Sequence, residues 1–178
     1  MHTITVKDKI FSRFITASEI DHAISKIAVA MNEDLAGKNP LFLIVLNGAF
    51  MFAADLVKKL NFPCELSFIK LASYSGTKSC EKVRELIGLN EDLTGRTIVV
   101  IEDIIDTGIT LGDLMETVKS KNAVEVKLAA LLFKPKAFQK SYPIDYVGLE
   151  IPNDFIVGYG LDYDGYGRNY PDIYKIVE

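Results

Sequence analysis

The segment VVIEDIIDTGIT, residues 99–110, runs an apolar strand straight into acid. Val99, Val100 and Ile101 demand burial, yet Glu102 and Asp103 follow at once and Asp106 comes three positions later. The chain then bends through Thr107, Gly108, Ile109 and Thr110, after which Leu111, Leu114, Met115 and Val118 recur at helical spacing. The same grammar occurs upstream. LFLIVL (41–46) is an apolar run of strand length, followed by Asn47 and Gly48 and by a helical pattern of Phe50, Ala53, Ala54, Val57 and Leu60. Continuous apolar strands interleaved with helices predict an α/β fold, with a mostly parallel central sheet and helices on both faces. Ligands of such sheets bind at the carboxyl ends of the strands, so the turns at 46–50 and 102–110 are expected along one edge.

Working outward, Ile20, Ile24, Ile27, Met31 and Leu35 mark a helix of about five turns, with Ser18 and Asp21 as its expected capping box. CELSFIKLASY (64–74), VKLAALLF (126–133), DYVGLEI (145–151) and FIVGYGL (155–161) read as further strands. The polar stretch 73–95 is the one long candidate loop, with room for a short hairpin. Neither repeats nor linkers divide the 178 residues, which predicts a single domain. A net charge of -4 without a block of lysines or arginines argues against nucleic-acid and anionic-membrane partners. Cys64 and Cys80 have neither CxxC spacing nor a neighbouring histidine, so neither a disulfide framework nor zinc is indicated. The N-terminus lacks the apolar core of a signal peptide, and no apolar run reaches membrane-spanning length. These features together predict a cytoplasmic protein.

Most nucleotide signals are missing: GxxxxGK[ST], GxGxxG and GxSxG do not occur. DYDGYGR (162–168) lacks the third acidic ligand and the closing glutamate of a calcium loop. What remains is the opening segment. From Asp106 to Thr110 the backbone turns through glycine into a helix N-terminus, where free N–H groups and the dipole favour a phosphate. Thr107 and Thr110 add hydroxyl donors. Glu102 and Asp103 suit either a metal ion or vicinal sugar hydroxyls. Phosphate and diol recognition side by side describe a ribose 5-phosphate.

The segment resembles the phosphoribosyl diphosphate (PRPP) signature of the type I phosphoribosyltransferases. Four further segments, in order, are similar to those of the hypoxanthine-guanine phosphoribosyltransferases: LNGAFMFAADL to the diphosphate loop and its helix, FIKLASYSG to the start of the flexible catalytic loop, LLFKPKAF to the purine-binding lysine segment, and IPNDFIVGYGLDY with Arg168 to the C-terminal segment. The resemblance implies the type I phosphoribosyltransferase fold with a small hood built from the terminal segments. It also implies Mg-dependent transfer of phosphoribose from PRPP to hypoxanthine or guanine, with xanthine a further candidate, and release of the nucleotide and diphosphate. Glu102 and Asp103 would engage the ribose hydroxyls, in part through Mg, and Asp106, Thr107, Gly108, Ile109 and Thr110 would cradle the 5-phosphate. Leu46, Asn47 and Gly48 would hold the diphosphate together with Arg168. Asp106 would assist proton transfer at N7 of the purine, and Ser73 and Tyr74 would close over the reacting centre. Lys134 would donate to the 6-oxo group, Phe155 would stack on the ring, the Ile156 backbone would read its edge, and Asp162 would help hold a second Mg. The hood would span about 134–178, and the family suggests a homodimer or homotetramer.

Three positions depart from the pattern, and of these Ile109, inside the phosphate cradle, matters least because backbone does most of the work there. Asn47 stands where many relatives carry lysine, and Ala49 where some carry a second glycine, so backbone N–H groups would have to hold the diphosphate. Plainer readings also exist: Glu102 and Asp103 as helix caps, Lys134 as a solvated loop lysine, Phe155 as core, and Asp162 and Arg168 as exposed turn charges. The rival functional class is a non-catalytic, PRPP-sensing regulator that binds nucleic acid; the basic surface or attached DNA-binding domain it would need is not seen in this sequence.

Overall fold

A computed structural model describes residues 2–72, 84–87 and 89–177. In chain order the elements are β1 (Thr3–Val6), β2 (Lys9–Ile15), α1 (Ala17–Asp34), β3 (Leu41–Leu46), α2 (Phe50–Val57), β4 (Glu65–Ala72), β5 (Arg84–Ile87), β6 (Thr97–Ile105), α3 (Ile109–Ser120), β7 (Glu125–Phe133), β8 (Tyr146–Glu150), β9 (Ile156–Val157) and β10 (Ile173–Ile176). Six strands make the main sheet in the order β5-β4-β3-β6-β7-β8, with β5 antiparallel to β4 and the others parallel. The apolar runs of β3 and β6 are buried on both faces, as their continuity requires. Alternation along them feeds two cores. Phe42, Ile44, Val99 and Ile101 pack beneath α1 and α2, while Leu41, Leu43, Ile98 and Val100 pack beneath α3. From β3 the chain moves outward to β4, and from β6 it moves the other way to β7 and β8. Neighbouring β3 and β6 therefore form the point where strand order reverses, the place where such sheets open a crevice.

The terminal segments meet in a second, antiparallel sheet, β1-β2-β10-β9, around Val6, Phe11, Val157 and Tyr174. This is the hood.

Several local expectations need correction. The capping box of α1 is Thr16 with Glu19, not Ser18 with Asp21: the Thr16 side chain accepts the Glu19 N–H, and the Glu19 carboxylate accepts the Thr16 N–H at 2.8 Å. In α2 the buried face is Phe52, Ala53 and Leu56, whereas Phe50 is exposed. That helix stops at Val57, short of Leu60. Within FIVGYGL only Ile156 and Val157 form a strand; Gly158, Tyr159 and Gly160 all have positive φ and turn the chain back. Cys64 is half-buried just ahead of β4 rather than inside it. β5 falls inside the 73–95 stretch but pairs back onto β4.

Candidate active site

β6 continues through the acids to Ile105, so Glu102 and Asp103 lie in the last turn-ward residues of a strand anchored by a buried apolar run. Their carboxylates accept neighbouring backbone N–H groups, Asp103 N–H to Glu102 at 3.2 Å and Ile104 N–H to Asp103 at 2.8 Å. Burial, and then the adjacent Asp103 carboxylate, push the Glu102 carboxyl well above the usual range. Burial raises Asp103 as well. Two crowded hard-oxygen acids of this kind are a donor set that a divalent cation would relieve.

The β3 turn comes directly onto this pair. Leu46 and Asn47 are joined by a cis peptide bond, and a Cβ on Gly48 would overlap the Asp103 carboxylate. Only a glycine lets the two turns approach so closely. From above, Gly160 of the hood lies against the Gly48 carbonyl. Arg168 donates to Gly160 O at 2.6 Å and pairs with Asp162 at 2.7 Å. The second Asp162 oxygen accepts the Gly165 N–H at 2.7 Å.

Beyond the acids, Gly108 at φ 76° forms the N-cap of α3 and brings no capping side chain of its own, and among the described residues the helix end meets a side chain at the Thr107 hydroxyl, 3.4 Å from the Ile109 N–H. Its first N–H groups are therefore available to a ligand. A cavity of about 260 Å³ opens here, lined by Val45, Glu102 and the run from Ile104 to Leu111. Lys134, just past β7, is 9% exposed and reaches Asp106 with an Nζ to Oδ2 distance of 3.3 Å. It is not a solvated loop lysine. Phe155 is 45% exposed, which rules out the core reading; it packs against Tyr163 edge-to-face at 5.8 Å and against Phe11 at 6.1 Å. Ile156 is buried in β9.

The fold thus brings Leu46, Asn47, Gly48, Glu102, Asp103, Asp106 to Thr110, Lys134 and Arg168 to one end of the sheet, and keeps Phe155 and Ile156 on the hood. Ser73 and Tyr74 lie outside the described residues. The sequence does not reveal Tyr142, or that Phe138 at the end of LLFKPKAF meets the phosphate turn. A Cβ on Gly108 would run into the Phe138 ring and the Tyr142 hydroxyl, and that hydroxyl donates to Gly108 O at 2.7 Å. Burial, with the Glu102 carboxylate nearby, pushes the Tyr142 phenol up to about 12, so it remains a donor.

A phosphoribosyl transferase domain model matches residues 16–164 of the chain. The chain belongs to the phosphoribosyl transferase family. Among its relatives is a hypoxanthine-guanine phosphoribosyltransferase of Streptococcus pneumoniae, 39% identical over 165 residues and covering 92% of each chain. Another, from Streptococcus thermophilus, is 42% identical over 149 residues and covers 83% of each. Among solved structures, a hypoxanthine-guanine phosphoribosyltransferase of Bacillus anthracis with HEPES in the active site matches at TM-score 0.88 and 33% identity, covering 93% of this chain and 98% of the other. A hypoxanthine phosphoribosyltransferase of Trypanosoma cruzi in a ternary substrates complex matches at TM-score 0.86 and 36% identity, covering 93% and 94%.

Proposed function

We propose that the chain is a purine-salvage enzyme that transfers the 5-phosphoribosyl group from PRPP to hypoxanthine or guanine, giving inosine or guanosine monophosphate and diphosphate. The observation that carries this reading is the Lys134–Asp106 pair at the mouth of the phosphate turn, 3.3 Å from Nζ to Oδ2, which supports reading Lys134 as the donor to the base and Asp106 as the proton-transfer group beside it. In the reaction the bond from ribose C1 to diphosphate breaks and a bond from C1 to a purine nitrogen forms. Positive charge grows at C1 and negative charge on the leaving group. Asp106 to Thr110 hold the 5-phosphate through the N-terminus of α3. Glu102 and Asp103 take the ribose hydroxyls. Arg168 faces the diphosphate, and Leu46, Asn47 and Gly48 hold it by backbone N–H groups, since Asn47 brings no charge. Lys134 donates to the purine 6-oxo group, Phe155 stacks on the ring, and Ile156 reads its edge through the backbone. Asp106 accepts the proton at N7.

Glu102 and Asp103, with Asp162 at a second position, would hold Mg²⁺, which when bound supplies positive charge to the leaving diphosphate. The crowding of the first pair fits that role. Asp162 would first have to exchange its Arg168 partner. Ser73 and Tyr74 are assigned to a lid that excludes water, confined to the start of the 73–95 stretch because β5 ties its later part to the sheet and Leu89 and Leu93 are buried in the core. The whole chain would act as one catalytic unit, and among the described residues no helix is long and apolar enough to cross a membrane.

Incubation with PRPP, Mg²⁺ and hypoxanthine, guanine or xanthine is expected to release diphosphate with at least one of the three bases. No turnover with any of them would overturn the proposal. Omitting Mg²⁺ should abolish the signal.

A further inference from the structure

We propose that Tyr142 is a positioning residue for the 5-phosphate, acting with the segment around it to fix the peptide planes of the phosphate turn from behind; this rests on the functional reading above. Three carbonyls of the turn are held by one short stretch of chain. Lys134 N–H donates to Ile105 O at 2.9 Å, Gln139 N–H donates to Thr107 O at 3.1 Å, and the Tyr142 hydroxyl donates to Gly108 O at 2.7 Å. A trans peptide is planar, and its N–H points away from its C=O. Anchoring those carbonyls therefore sets the direction of the N–H groups of Asp106, Gly108 and Ile109. All three residues line the cavity.

The Gly108–Ile109 plane is the most tightly held. Its carbonyl also accepts the Gly112 N–H at 2.9 Å as the first bond of α3, so both lone pairs are engaged. On the other side of that plane, among the described residues, the Ile109 N–H makes only a long contact of 3.4 Å to the Thr107 hydroxyl. So weak a bond is readily exchanged for a phosphate oxygen. Donors fixed before the ligand arrives need no ordering when it binds. The phenol itself is held by packing, since Tyr142 stacks edge-on against Phe138 at 5.3 Å and Phe138 against Phe133 at 5.4 Å. Removing the oxygen alone would leave the ring in place. The same stretch begins at Lys134, so the base-reading lysine and the phosphate turn share one support.

Tyr142→Phe tests this, because it is the side-chain member of the three anchors. Calorimetric titration with ribose 5-phosphate and with inosine monophosphate should show affinity falling about three- to tenfold for each probe, the loss of one hydrogen bond. The KM for PRPP should rise in parallel, while the KM for hypoxanthine stays within about twofold and the melting temperature hardly moves. Unchanged affinity for both phosphorylated probes would overturn the assignment. So would an equal loss for hypoxanthine and the probes, which would mark a general disturbance. Ribose 5-phosphate binding needs no turnover, so an inactive wild-type protein would sink the functional reading and leave this comparison decisive on its own.

Discussion

Asp106 and Lys134 form one ion pair but are given different tasks, and substitution should separate them. Asp106→Asn keeps the backbone turn and loses the proton acceptor, so kcat should fall about 10²- to 10⁴-fold while PRPP binding changes little. A variant with full turnover would remove Asp106 from the mechanism. Lys134→Ala should instead raise the KM for hypoxanthine about tenfold or more, the value of a charged hydrogen bond, and spare PRPP. If PRPP affinity collapsed in its place, the base-reading role would be wrong. Gly108→Ala combines a left-handed φ with collision against Phe138 and Tyr142. It should lower the melting temperature and weaken PRPP binding together, which thermal unfolding and KM measurements would check. The acids, the glycine and the lysine were all legible in the sequence, because the first two stand in one short turn and the third in an ordered segment. Tyr142 was not, since its partner is 34 residues away and a hydroxyl donating to a backbone carbonyl leaves no pattern along the chain.

At the scale of elements, legibility followed the contrast between buried and exposed positions. LFLIVL and TIVVI announce themselves because strands buried on both faces need continuous apolar runs. FMFAADLV is too apolar throughout to reveal which face is inward, and the face that turns inward in α2 is Phe52, Ala53 and Leu56 instead of the one that includes Phe50. β1, β9 and β10 are short, and their hood exists only by pairing the two ends of the chain, a contact that periodicity cannot show. The start of α1 shows another limit: Ser18 with Asp21 has the spacing of a capping box, but Thr16 with Glu19 forms it, because the longer glutamate closes back to the N-cap. Thr16→Ala should cost about 1 kcal/mol, read as a melting point lower by a few degrees. Kinetic constants should be untouched, because the cap belongs to a helix that supports the sheet and supplies no residue assigned to the site. A change in KM would show that the cap also orients the hood, to which Asp172 ties the Ala17 N–H at 2.7 Å.

Across the whole molecule, the sheet separates reactivity from cohesion. The crowded acids stand at the carboxyl ends of the parallel strands. At the other end Lys127, only 15% exposed in its side chain, is surrounded by Asp34 at 2.8 Å, Glu125 at 3.5 Å and Asp145 at 3.9 Å, and its ammonium lies over the Tyr146 ring. The Lys127 hydrogen bond, followed by that from Tyr146, holds the Asp34 carboxyl below its ordinary value, and the same bond to Asp34 raises Lys127. The signs follow from linkage. Asp34 contributes stability above its unfolded pKa of about 3.9 and loses it as pH falls through the lower folded value. Lys127 contributes below its unfolded pKa of about 10.4 and loses it as pH rises through the higher folded value. This network should therefore hold the unfolding midpoint steady through neutral pH and release it on both sides. Asp34→Asn should lower the midpoint modestly at pH 7, because the group is 42% exposed and water screens the pair. Near pH 3 the gap between variant and wild type should narrow, since the unfolded carboxyl is by then taking up its proton below about 3.9 and the charge-dependent stabilisation of the folded state is being lost. Thermal unfolding at the two pH values measures this; an equal gap at both would assign the loss to packing around Tyr146 instead of to charge. Assays of the same variant at pH 7 should return wild-type kcat and KM, because the network touches neither the acidic tip nor the phosphate turn.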